Sequence, residues 1–456
     1  MPRSRGAGKK YSRPLRRPLQ VKVNSLEKYR QALERVSPIV ACGRVTQVVG
    51  LVIEAEGPAL KVGDLCRIKT SYKEILAEVS GFRENRLLLT PLGEPLGIEP
   101  GDRVYACEAP GAKVGQELLG RVVNALGEAI DGRPLPFVRE TYPLYNEPLK
   151  PFERERIKEP LDVGIRAINA LLSLGKGQRM VIMAGSGVGK STLLGMMARY
   201  TKADVNVIAL IGERGREVRE FIERDLGEEG LKRSVIVVAT ADEPPPLRIR
   251  GAYYATAIAE YFRDQGLDVL LLMDSLTRFC MAAREIGLSI GEPPTARGYT
   301  PSVFAQLPRL LERVGPRVNG GSITGIYTVL VEGDDFNEPV ADAVRAIADG
   351  HVVLSRDLAH EGHYPAIDVL ASVSRVMKDI VKRDHIEAAR RLIQLLAAYR
   401  RAEDLINIGA YVKGSNPEID QALERIGAIR RFLQQDVDEK TSFEESLTAL
   451  KEVVGL

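Results

Sequence analysis

The stretch Arg179-Met-Val-Ile-Met-Ala-Gly-Ser-Gly-Val-Gly-Lys-Ser-Thr-Leu-Leu decides the fold class of this chain. After Arg179 it begins as a short apolar run typical of a buried strand, and it ends as the start of a helix, so a glycine-rich turn joins the two. The turn matches the phosphate-binding loop with one departure, because Ala184 stands where the pattern has its first glycine. Small residues there let successive backbone N–H groups converge on phosphate oxygens at a helix N-terminus. The sequence therefore predicts a nucleotide-binding α/β domain.

The residues of this turn predict how the phosphates and the metal are held. The ammonium of Lys190 is placed to bridge the β- and γ-phosphates, and the Ser191 hydroxyl is placed to bind Mg²⁺. A nucleoside triphosphate with Mg²⁺ is therefore the expected ligand. The residues predicted to bind the nucleotide are Gly185, Ser186, Gly187, Val188, Gly189, Lys190, Ser191 and Thr192.

Two further predicted strands end in acidic residues that would complete such a site. The apolar run 269–273 precedes Asp274, and the run 205–211 precedes Gly212 and Glu213. Because ligands of open α/β sheets bind at the carboxyl ends of strands, both carboxylates are expected near the phosphates. Asp274 is the predicted acid of the Mg²⁺ shell, the alternative being a helix cap. Glu213 is the predicted general base that orients and deprotonates the attacking water, the alternative being a surface loop of solvated charge.

A different pattern precedes the phosphate-binding part of the chain. Short β-rich runs, separated by Gly, Pro, Asp and Asn, predict a small β-barrel. A barrel of this size either binds nucleic acid or builds an oligomer, and the scarcity of aromatic residues between 25 and 107 favours the second role. The predicted barrel strands are residues 43–53, 65–68, 75–79, 87–90 and 103–107.

The sequence divides into four parts. A short helix is predicted over residues 25–36, a proline-rich connector over 122–158, and a helical pattern beyond residue 381. Apolar runs that alternate with helical stretches between these last two predict a parallel sheet built from βαβ units. The predicted domains are a basic flexible tail over 1–24, a barrel domain over 25–107, a nucleotide-binding domain over 108–380 and a helical domain over 381–456.

Composition excludes several classes of protein. The chain has 456 residues, of which 45 % are hydrophobic, 27 % charged and 5 % aromatic, with no tryptophan. This profile is typical of a folded, water-soluble α/β protein. No apolar run approaches the ~20 residues that cross a bilayer, and no secretory signal follows the basic start. The spacing of Cys42, Cys66, Cys107 and Cys280 matches neither a metal site nor a disulfide framework, so they are expected to be reduced, mostly packed thiols in a cytoplasm.

The net charge of +3 hides a strongly basic N-terminus. Eight of the 64 lysines and arginines lie within residues 1–24, which hold no acid, so the remaining 56 face 61 acids. The body of the protein is therefore mildly acidic. The tail is suited to anionic lipid, nucleic acid or an acidic partner, the alternative being a solvated arm without a dedicated ligand.

Several motifs in fixed order resemble those of the hexameric ATPases related to rotary ATP synthase subunits. Within that group the chain most resembles the flagellum-specific type III export ATPases, and the virulence-type secretion ATPases are close relatives. The resemblance runs from about residue 38 to the C-terminus. It rests on the motifs at residues 164–170, 184–199, 212–217, 274–278, 291–294, 298–304, 363–368 and 371–375.

This resemblance implies a RecA-like core between the barrel and the helical domain, with ATP as the nucleotide. It implies Mg²⁺-dependent ATP hydrolysis that energises protein export by a flagellar apparatus. A virulence secretion ATPase is the first alternative, and a rotary β-type subunit or an RNA translocase of the Rho type come after it. A nucleotide-binding subunit that never turns over is a further alternative, against which Glu213 argues.

The resemblance also implies roles for residues outside the phosphate loop. Arg214 and Arg278 match family arginines close to the phosphates. Tyr364 is similar to the tyrosine that stacks on adenine, and Tyr411 is expected on the other side of the base, unless it is a core aromatic. Arg375 resembles the arginine finger that family members insert into the neighbouring subunit's site, the alternative being an ordinary surface salt bridge.

Partners and location follow from the same resemblance. Because one chain carries both Glu213 and Arg375, a homohexamer is expected. The proline-rich segment 291–308 matches the family segment that faces the ring centre, where a central stalk protein or an exported polypeptide would touch it, the alternative being a static turn. Export apparatus and stator or chaperone proteins are the other expected partners, with membrane contact through the basic tail and no nucleic acid. The expected location is the cytoplasm, peripheral to the inner membrane at the export apparatus.

Overall fold

The computed structural model of the chain describes residues 29–30, 41–107, 111–331, 333 and 335–456. The basic tail expected at 1–24 lies outside the described residues. Of the helix expected at 25–36, only Tyr29 and Arg30 are described, and both are helical.

The first folded unit is a closed antiparallel barrel in the order β1-β2-β5-β4-β3-β6. Its interior is filled by alternate side chains such as Ile53, Ile68 and Leu89, none of which reaches solvent. The run expected at 43–53 is two strands, because the chain reverses at Gly50 with a φ of +58° that a glycine adopts without strain. The strands are β1 (Cys42–Val49), β2 (Val52–Glu56), β3 (Leu65–Lys69), β4 (Glu74–Arg83), β5 (Arg86–Pro91) and β6 (Arg103–Ala106).

Three short strands that the sequence pattern did not predict lie between the barrel and residue 158, two of them in or at the start of the proline-rich connector. They are β7 (Ala112–Val114), β8 (Arg121–Asn124) and β9 (Glu140–Tyr142). The first and third pair with each other, whereas β8 adds an edge strand to the central sheet. The proline-rich connector is therefore part of the α/β unit along its edge.

The central sheet confirms the predicted α/β core. Its order is β19-β18-β12-β17-β15-β13-β14-β8, parallel except for β19, and β16 pairs antiparallel with β17 at one end. Almost every residue of its inner strands is buried, which explains their continuous apolar runs. The remaining strands are β10 (Pro160–Leu161), β11 (Leu174–Gly175), β12 (Arg179–Ala184), β13 (Val205–Ile211), β14 (Ser234–Ala239), β15 (Asp268–Asp274), β16 (Gly315–Pro316), β17 (Ser322–Leu330), β18 (Gly350–Leu354) and β19 (Ile367–Ser374).

Helices cover both faces of this sheet. The longest internal one, α5, packs on β13, β14 and β15 and is buried along nearly its whole length. The helices are α1 (Arg166–Leu171), α2 (Lys190–Tyr200), α3 (Gly215–Glu220), α4 (Gly227–Lys232), α5 (Pro245–Asp264), α6 (Leu276–Ser289), α7 (Pro301–Leu311), α8 (Pro339–Ile347), α9 (Arg356–His360), α10 (Met377–Ile380), α11 (Arg383–Asn407), α12 (Pro417–Leu433) and α13 (Phe443–Val454). A π-helical segment, Phe221–Leu226, joins α3 to α4.

The C-terminal helices α11, α12 and α13 share one apolar core with the sheet. Leu392, Phe432 and Leu450 belong to the same buried cluster as Ile182 of β12. The boundary expected between residues 380 and 381 falls between α10 and α11 and stays a prediction. The helical part and the strand that leads into the phosphate loop therefore pack in one continuous core.

The four cysteines are free thiols in different surroundings. Cys66 and Cys280 are buried, and burial raises the pKa of Cys66 to about 12. Cys107 is partly buried and Cys42 is exposed, so Cys42 is the exception among thiols expected to be mostly packed. Among the described residues, none of the helices combines the length and the apolar character needed to cross a membrane.

A fully buried ion pair ties the connector to the core. The guanidinium of Arg313 donates to both carboxylate oxygens of Glu260 on α5, at 2.9 and 2.6 Å, and also to the carbonyl of Leu144 at 2.7 Å. The side chains of Arg313 and Glu260 are 0 % and 2 % exposed. Removing one partner leaves a buried charge without compensation, which costs far more than losing an exposed pair.

We expect Arg313→Met to lower the free energy of unfolding by ~3 to 5 kcal/mol, because it strands the Glu260 carboxylate in the interior. Urea denaturation of the two proteins measures this difference in the free energy of unfolding. The matched control is Arg317→Met, since Arg317 pairs with Asp264 at 2.7 Å but is 40 % exposed, and its cost is expected to stay below ~1 kcal/mol. Equal losses in the two variants would contradict the buried-charge explanation.

Candidate ATP-binding site

The phosphate loop lies between the carboxyl end of β12 and the first turn of α2. Ala184 is the last residue of the strand, where a Cβ is no obstacle. Gly187 and Gly189 have φ values of +78° and +85°, which explains why these two positions are glycine. The first backbone N–H groups of α2 have no partner within the helix and form an anion site.

The two predicted acids meet the phosphate-loop lysine. Lys190 Nζ lies 2.5 Å from an Asp274 oxygen and 3.5 Å from a Glu213 oxygen, and all three side chains are at most 16 % exposed. β13 and β15 are adjacent, so their carboxyl ends bring Glu213 and Asp274 side by side. The sequence-based expectation that these groups converge is therefore what the structure has.

The strand between β12 and β15 supplies a contact that the sequence did not suggest. Thr328 of β17 donates its hydroxyl hydrogen to the Asp274 oxygen at 2.6 Å. This hydrogen bond holds the Asp274 carboxylate in one orientation. An interior threonine of a strand carries no signal by itself, and only the sheet order reveals the contact.

Burial and neighbouring charge set the protonation of the site. Burial, together with repulsion from Asp274, raises the pKa of Glu213 to about 7, although Lys190 opposes this shift. For Lys190, burial favours the neutral amine, but the carboxylates of Asp274 and Glu213 outweigh it and raise the pKa. A hydrogen bond with Glu213 lowers the pKa of Glu217. A carboxylate that exchanges its proton near neutrality is suited to general base catalysis.

The raised pKa of Glu213 predicts how ATP hydrolysis depends on pH. Because Glu213 must be ionised to accept a proton and its pKa is raised to about 7, we expect kcat/KM to fall roughly tenfold per pH unit below pH 7 and to level off above it. The profile should be measured with saturating Mg²⁺, and nucleotide binding should be measured separately because phosphates titrate near pH ~6. A flat profile from pH 5.5 to 8 would rule out Glu213 as the base.

Two arginines predicted near the phosphates line the same cavity. The Arg278 side chain crosses Gly212, where a Cβ would come within 2.6 Å of it, and among the described residues its buried Nε has no hydrogen-bond partner. Arg214 pairs with Glu217 at 3.3 Å and is 80 % exposed. Arg278 is thus held in place by packing, whereas Arg214 is free to reorient toward a ligand.

The cavity has a volume of about 640 Å³, enough for a nucleotide. Arg356, at the start of α9, also lines it, and the sequence did not predict this residue because it lies outside the motifs that carry the family resemblance. Val188 is buried, so only its backbone can face a ligand. The lining residues are Ala184, Gly185, Ser186, Gly187, Gly189, Lys190, Ser191, Thr192, Gly212, Glu213, Arg214, Glu217, Ala241, Arg278, Leu330, Val331, Gly333 and Arg356.

The donor set is suited to Mg²⁺. Ser191 lines the cavity, and the Asp274 carboxylate lies 2.5 Å from the Lys190 ammonium beside it. Hydroxyl and carboxylate oxygens are the ligands that this hard cation prefers, with the remaining positions left to water and phosphate.

Of the two tyrosines expected at the base, Tyr364 lies against the phosphate loop. Its ring carbons are 3.4 Å from the position that a Cβ of Gly189 would take, and the side chain is 46 % exposed. The Tyr411 hydroxyl instead donates to the Asn416 carbonyl and to an Asp420 oxygen, both at 3.0 Å, at the start of α12. The structure gives Tyr411 a link between a loop and a helix, and its place beside the base stays a prediction.

Arg375 lies far from the phosphate loop of its own chain. It follows β19, whose Ser374 pairs with Gly350 at the amino end of β18, whereas Ala184 pairs with Leu354 at the carboxyl end. The two ends of β18 are ~13 Å apart. Arg375 is exposed and donates to the carbonyl of Arg345 at 3.3 Å. Within one chain it therefore takes no part in the site.

Comparisons with known proteins agree with this geometry. Residues 164–374 match the ATP synthase alpha/beta family, nucleotide-binding domain, and residues 45–108 match the beta-barrel domain of that family. Residues 381–452 match the T3SS EscN ATPase C-terminal domain. The flagellum-specific ATP synthase of Bacillus subtilis is 55 % identical over 91 % of this chain and 95 % of its own length. The chain belongs to this family of flagellum-specific and type III secretion ATPases.

Other members of the family are similar over comparable lengths. The flagellum-specific ATP synthase of Salmonella typhimurium and the type 3 secretion system ATPase of Xanthomonas euvesicatoria are both 51 % identical, over 94 % and 92 % of this chain and 97 % of each relative. The assembled ATPase EscN from the type III secretion system of enteropathogenic E. coli superposes with a TM-score of 0.86 at 44 % identity, covering 90 % of this chain and all of that one. The predicted order of barrel, RecA-like core and helical part is confirmed, and so is the assignment as an ATPase.

Proposed function

We propose that this protein is the ATPase of a flagellar type III export apparatus and that it hydrolyses Mg²⁺-bound ATP to energise protein export. The observation that carries the proposal is the meeting of Lys190, Glu213 and Asp274 beside the phosphate loop. Relatives at about the same identity carry flagellar and secretion names, so a virulence apparatus is the alternative.

Each residue of the site has a separate role in the proposed reaction. Backbone N–H groups of the turn and the Lys190 ammonium hold the phosphates, and the Tyr364 ring supports the adenine. Ser191 and Asp274 would hold Mg²⁺, which supplies charge neutralisation at the phosphates. Glu213 orients the attacking water and accepts its proton, while Arg278 and Arg214 stabilise charge on the phosphoryl oxygens. The presence of Glu213 beside Lys190 argues against a chain that only binds nucleotide.

A ring of six copies is the assembly we propose. The exposed Arg375 lies at the sheet edge opposite to the phosphate loop, so a neighbouring copy can bring it to a site that it cannot reach within its own chain. The solved relative in an assembled state supports this arrangement. Each active site would then lie between two subunits.

The partners we propose follow the solved relatives. EscN has been solved in complex with its central stalk EscO, and we propose an equivalent stalk protein for this chain, touched by segment 291–308. In the structure residues 291–300 of this segment form a turn, in which the Thr295 hydroxyl donates to the Tyr299 carbonyl and Arg297 pairs with Asp335, and residues 301–308 belong to α7. We further propose stator, chaperone and export apparatus proteins as partners, a cytoplasmic location beside the inner membrane and a membrane contact through residues 1–24. Nucleic acid is not an expected ligand.

The export function can be tested in a strain whose chromosomal gene is replaced by a variant. We expect Glu213→Gln to reduce the export of flagellar hook and filament proteins at least tenfold, because the ring still assembles and binds nucleotide but does not hydrolyse it. The measurement is the amount of those proteins in the culture medium. The matched control is the exposed neighbour Arg216→Gln, whose ion pair with Glu220 lies on the surface and whose loss is expected to leave export unchanged.

The same strains separate the two apparatuses. Loss of effector secretion with intact flagellar export would favour the virulence alternative. Normal export by a strain whose protein demonstrably lacks hydrolysis would contradict the proposal.

A further inference from the structure

Gln435, just after α12, has a buried side-chain amide with every hydrogen-bonding group in use. Its Nε2 donates to the carbonyls of Gly164 and Glu439 at 2.8 and 2.7 Å, and its Oε1 accepts from the backbone N–H of Arg166 at 2.7 Å. The residue is 5 % exposed. Only an amide of this length offers two donors and one acceptor at these positions.

The backbone of the same residue contacts the base-binding tyrosine. The N–H of Gln435 donates to the carbonyl of Tyr364 at 3.0 Å. His363, the residue before Tyr364, is buried and its N–H is bonded to the carbonyl of Leu358 at 2.9 Å. The backbone of Tyr364 is therefore fixed on both sides, while its ring stays half exposed against the phosphate loop.

The loop that follows Gln435 also contacts the phosphate-loop helix. The Val437 carbonyl accepts from the Tyr200 hydroxyl and from the Arg199 guanidinium, both at 2.8 Å, at the end of α2. Arg166 further pairs with Glu439 and donates to the Gln434 carbonyl at 3.1 Å. The loop at 434–439 is thus bonded to α1, to α2 and to Tyr364.

We propose that Gln435 is a positioning residue for nucleotide binding, which holds the Tyr364 ring at the base subsite from the C-terminal helical part. This rests on the proposed role of Tyr364 in supporting adenine. Because the amide joins the start of α1 to the loop after α12, any shift of the helical part that breaks it withdraws the Tyr364 backbone from its place. The phosphates are held by the turn at 185–192 and do not depend on this contact.

The expected consequence is weaker binding of the adenosine part of ATP, with binding of the phosphates unchanged. In the assembled full-length protein, we expect Gln435→Met to raise KM for Mg²⁺-ATP about tenfold while kcat changes less than about twofold. Methionine keeps the length of the side chain but makes none of its three hydrogen bonds. The inhibition constant of Mg²⁺-tripolyphosphate, which has no base, is expected to stay within about twofold.

Gln434→Met is the matched control. This neighbour is exposed, so the same chemical change there should leave KM unaltered. If Gln435→Met fails to fold, Gln435→Asn takes its place, because it retains an amide that is one methylene too short to reach all of its partners.

A combination with Tyr364→Ala separates positioning from general destabilisation. We expect Tyr364→Ala to raise KM for ATP and the further change Gln435→Met to add less than twofold, since the ring to be positioned is gone. An equal rise of KM in both backgrounds, or a parallel loss of tripolyphosphate binding, would overturn the positioning role. If Tyr364→Ala alone leaves KM unchanged, the proposed contact between Tyr364 and adenine is wrong. If Tyr364→Ala raises KM but Gln435→Met does not, only the role of Gln435 is wrong.

Discussion

Arg375→Ala is expected to lower kcat by ~10³-fold or more with little change in ATP binding by each subunit. A guanidinium supplied by a neighbouring subunit stabilises charge on the transferring phosphoryl group, and such fingers contribute ~10³ to 10⁵ in rate. Arg375 is exposed, and its guanidinium donates to the Arg345 carbonyl at 3.3 Å, so its removal costs the fold little. Steady-state hydrolysis and equilibrium nucleotide binding by the purified ring measure the two effects.

Mixing two inactive chains tests whether Arg375 acts between subunits. A ring that contains both Arg375→Ala and Glu213→Gln chains has some interfaces with an intact Glu213 on one side and an intact Arg375 on the other. Those interfaces should recover part of the activity. Mixed rings that form and recover nothing would show that both residues serve the same chain.

A surface arginine provides the control for charge alone. Arg383 is 93 % exposed and pairs with Glu387 one helical turn away at 3.0 Å. Arg383→Ala removes the same charge close in sequence and is expected to leave kcat within about twofold, since exposed pairs contribute ~0 to 1 kcal/mol. A loss comparable to that of Arg375→Ala would indicate general destabilisation of the ring.

The phosphate loop and both acids could be predicted because each follows a continuous apolar run. Such runs are buried strands of a parallel sheet, and the rule that ligands bind at their carboxyl ends places Lys190, Glu213 and Asp274 together without any coordinates. The barrel could be predicted because its strands alternate in burial and end at glycine or proline turns.

Contacts that depend on sheet order could not be predicted. Thr328 reaches Asp274 because β17 lies between β12 and β15, although it follows both in the chain. The strand β8 lies within a proline-rich connector, where pairing with β14 overrides the turn-forming composition. Arg356 enters the cavity because β18 pairs with β12. In each case a partner distant in sequence supplies the missing information.

The position of Arg375, far from the phosphate loop of its own chain, likewise depends on the direction of β19. The sequence alone cannot tell that β19 runs antiparallel to its neighbour and takes Arg375 back to the amino edge. Once that direction is known, a role within the same chain is excluded by geometry. The role of an arginine finger in a neighbouring subunit's site stays a prediction for Arg375.

Glu213→Gln is the second change with a large expected effect, lowering kcat by ~10³-fold while nucleotide binding stays within about threefold. Glutamine has the same shape and keeps an oxygen beside Lys190, but it cannot accept the proton of the attacking water. The acidic limb of the pH profile should disappear with it, because that limb reports the raised pKa of this carboxyl. Single-turnover hydrolysis and binding of a fluorescent nucleotide separate the two quantities.

The comparison with Glu217→Gln decides whether this loss reflects chemistry or only the charge of the cavity. Glu217 lines the same cavity and shares a hydrogen bond with Glu213, which lowers the pKa of Glu217. It is therefore ionised throughout the range in which Glu213 titrates, and removing it takes away one negative charge without removing the base. We expect Glu217→Gln to lower kcat less than about thirtyfold and to keep the acidic limb, because Glu213 still has to lose its proton. If Glu213→Gln turned over within threefold of the unchanged protein, water would be activated by another group, and the meeting of Lys190 with two carboxylates would serve nucleotide binding alone.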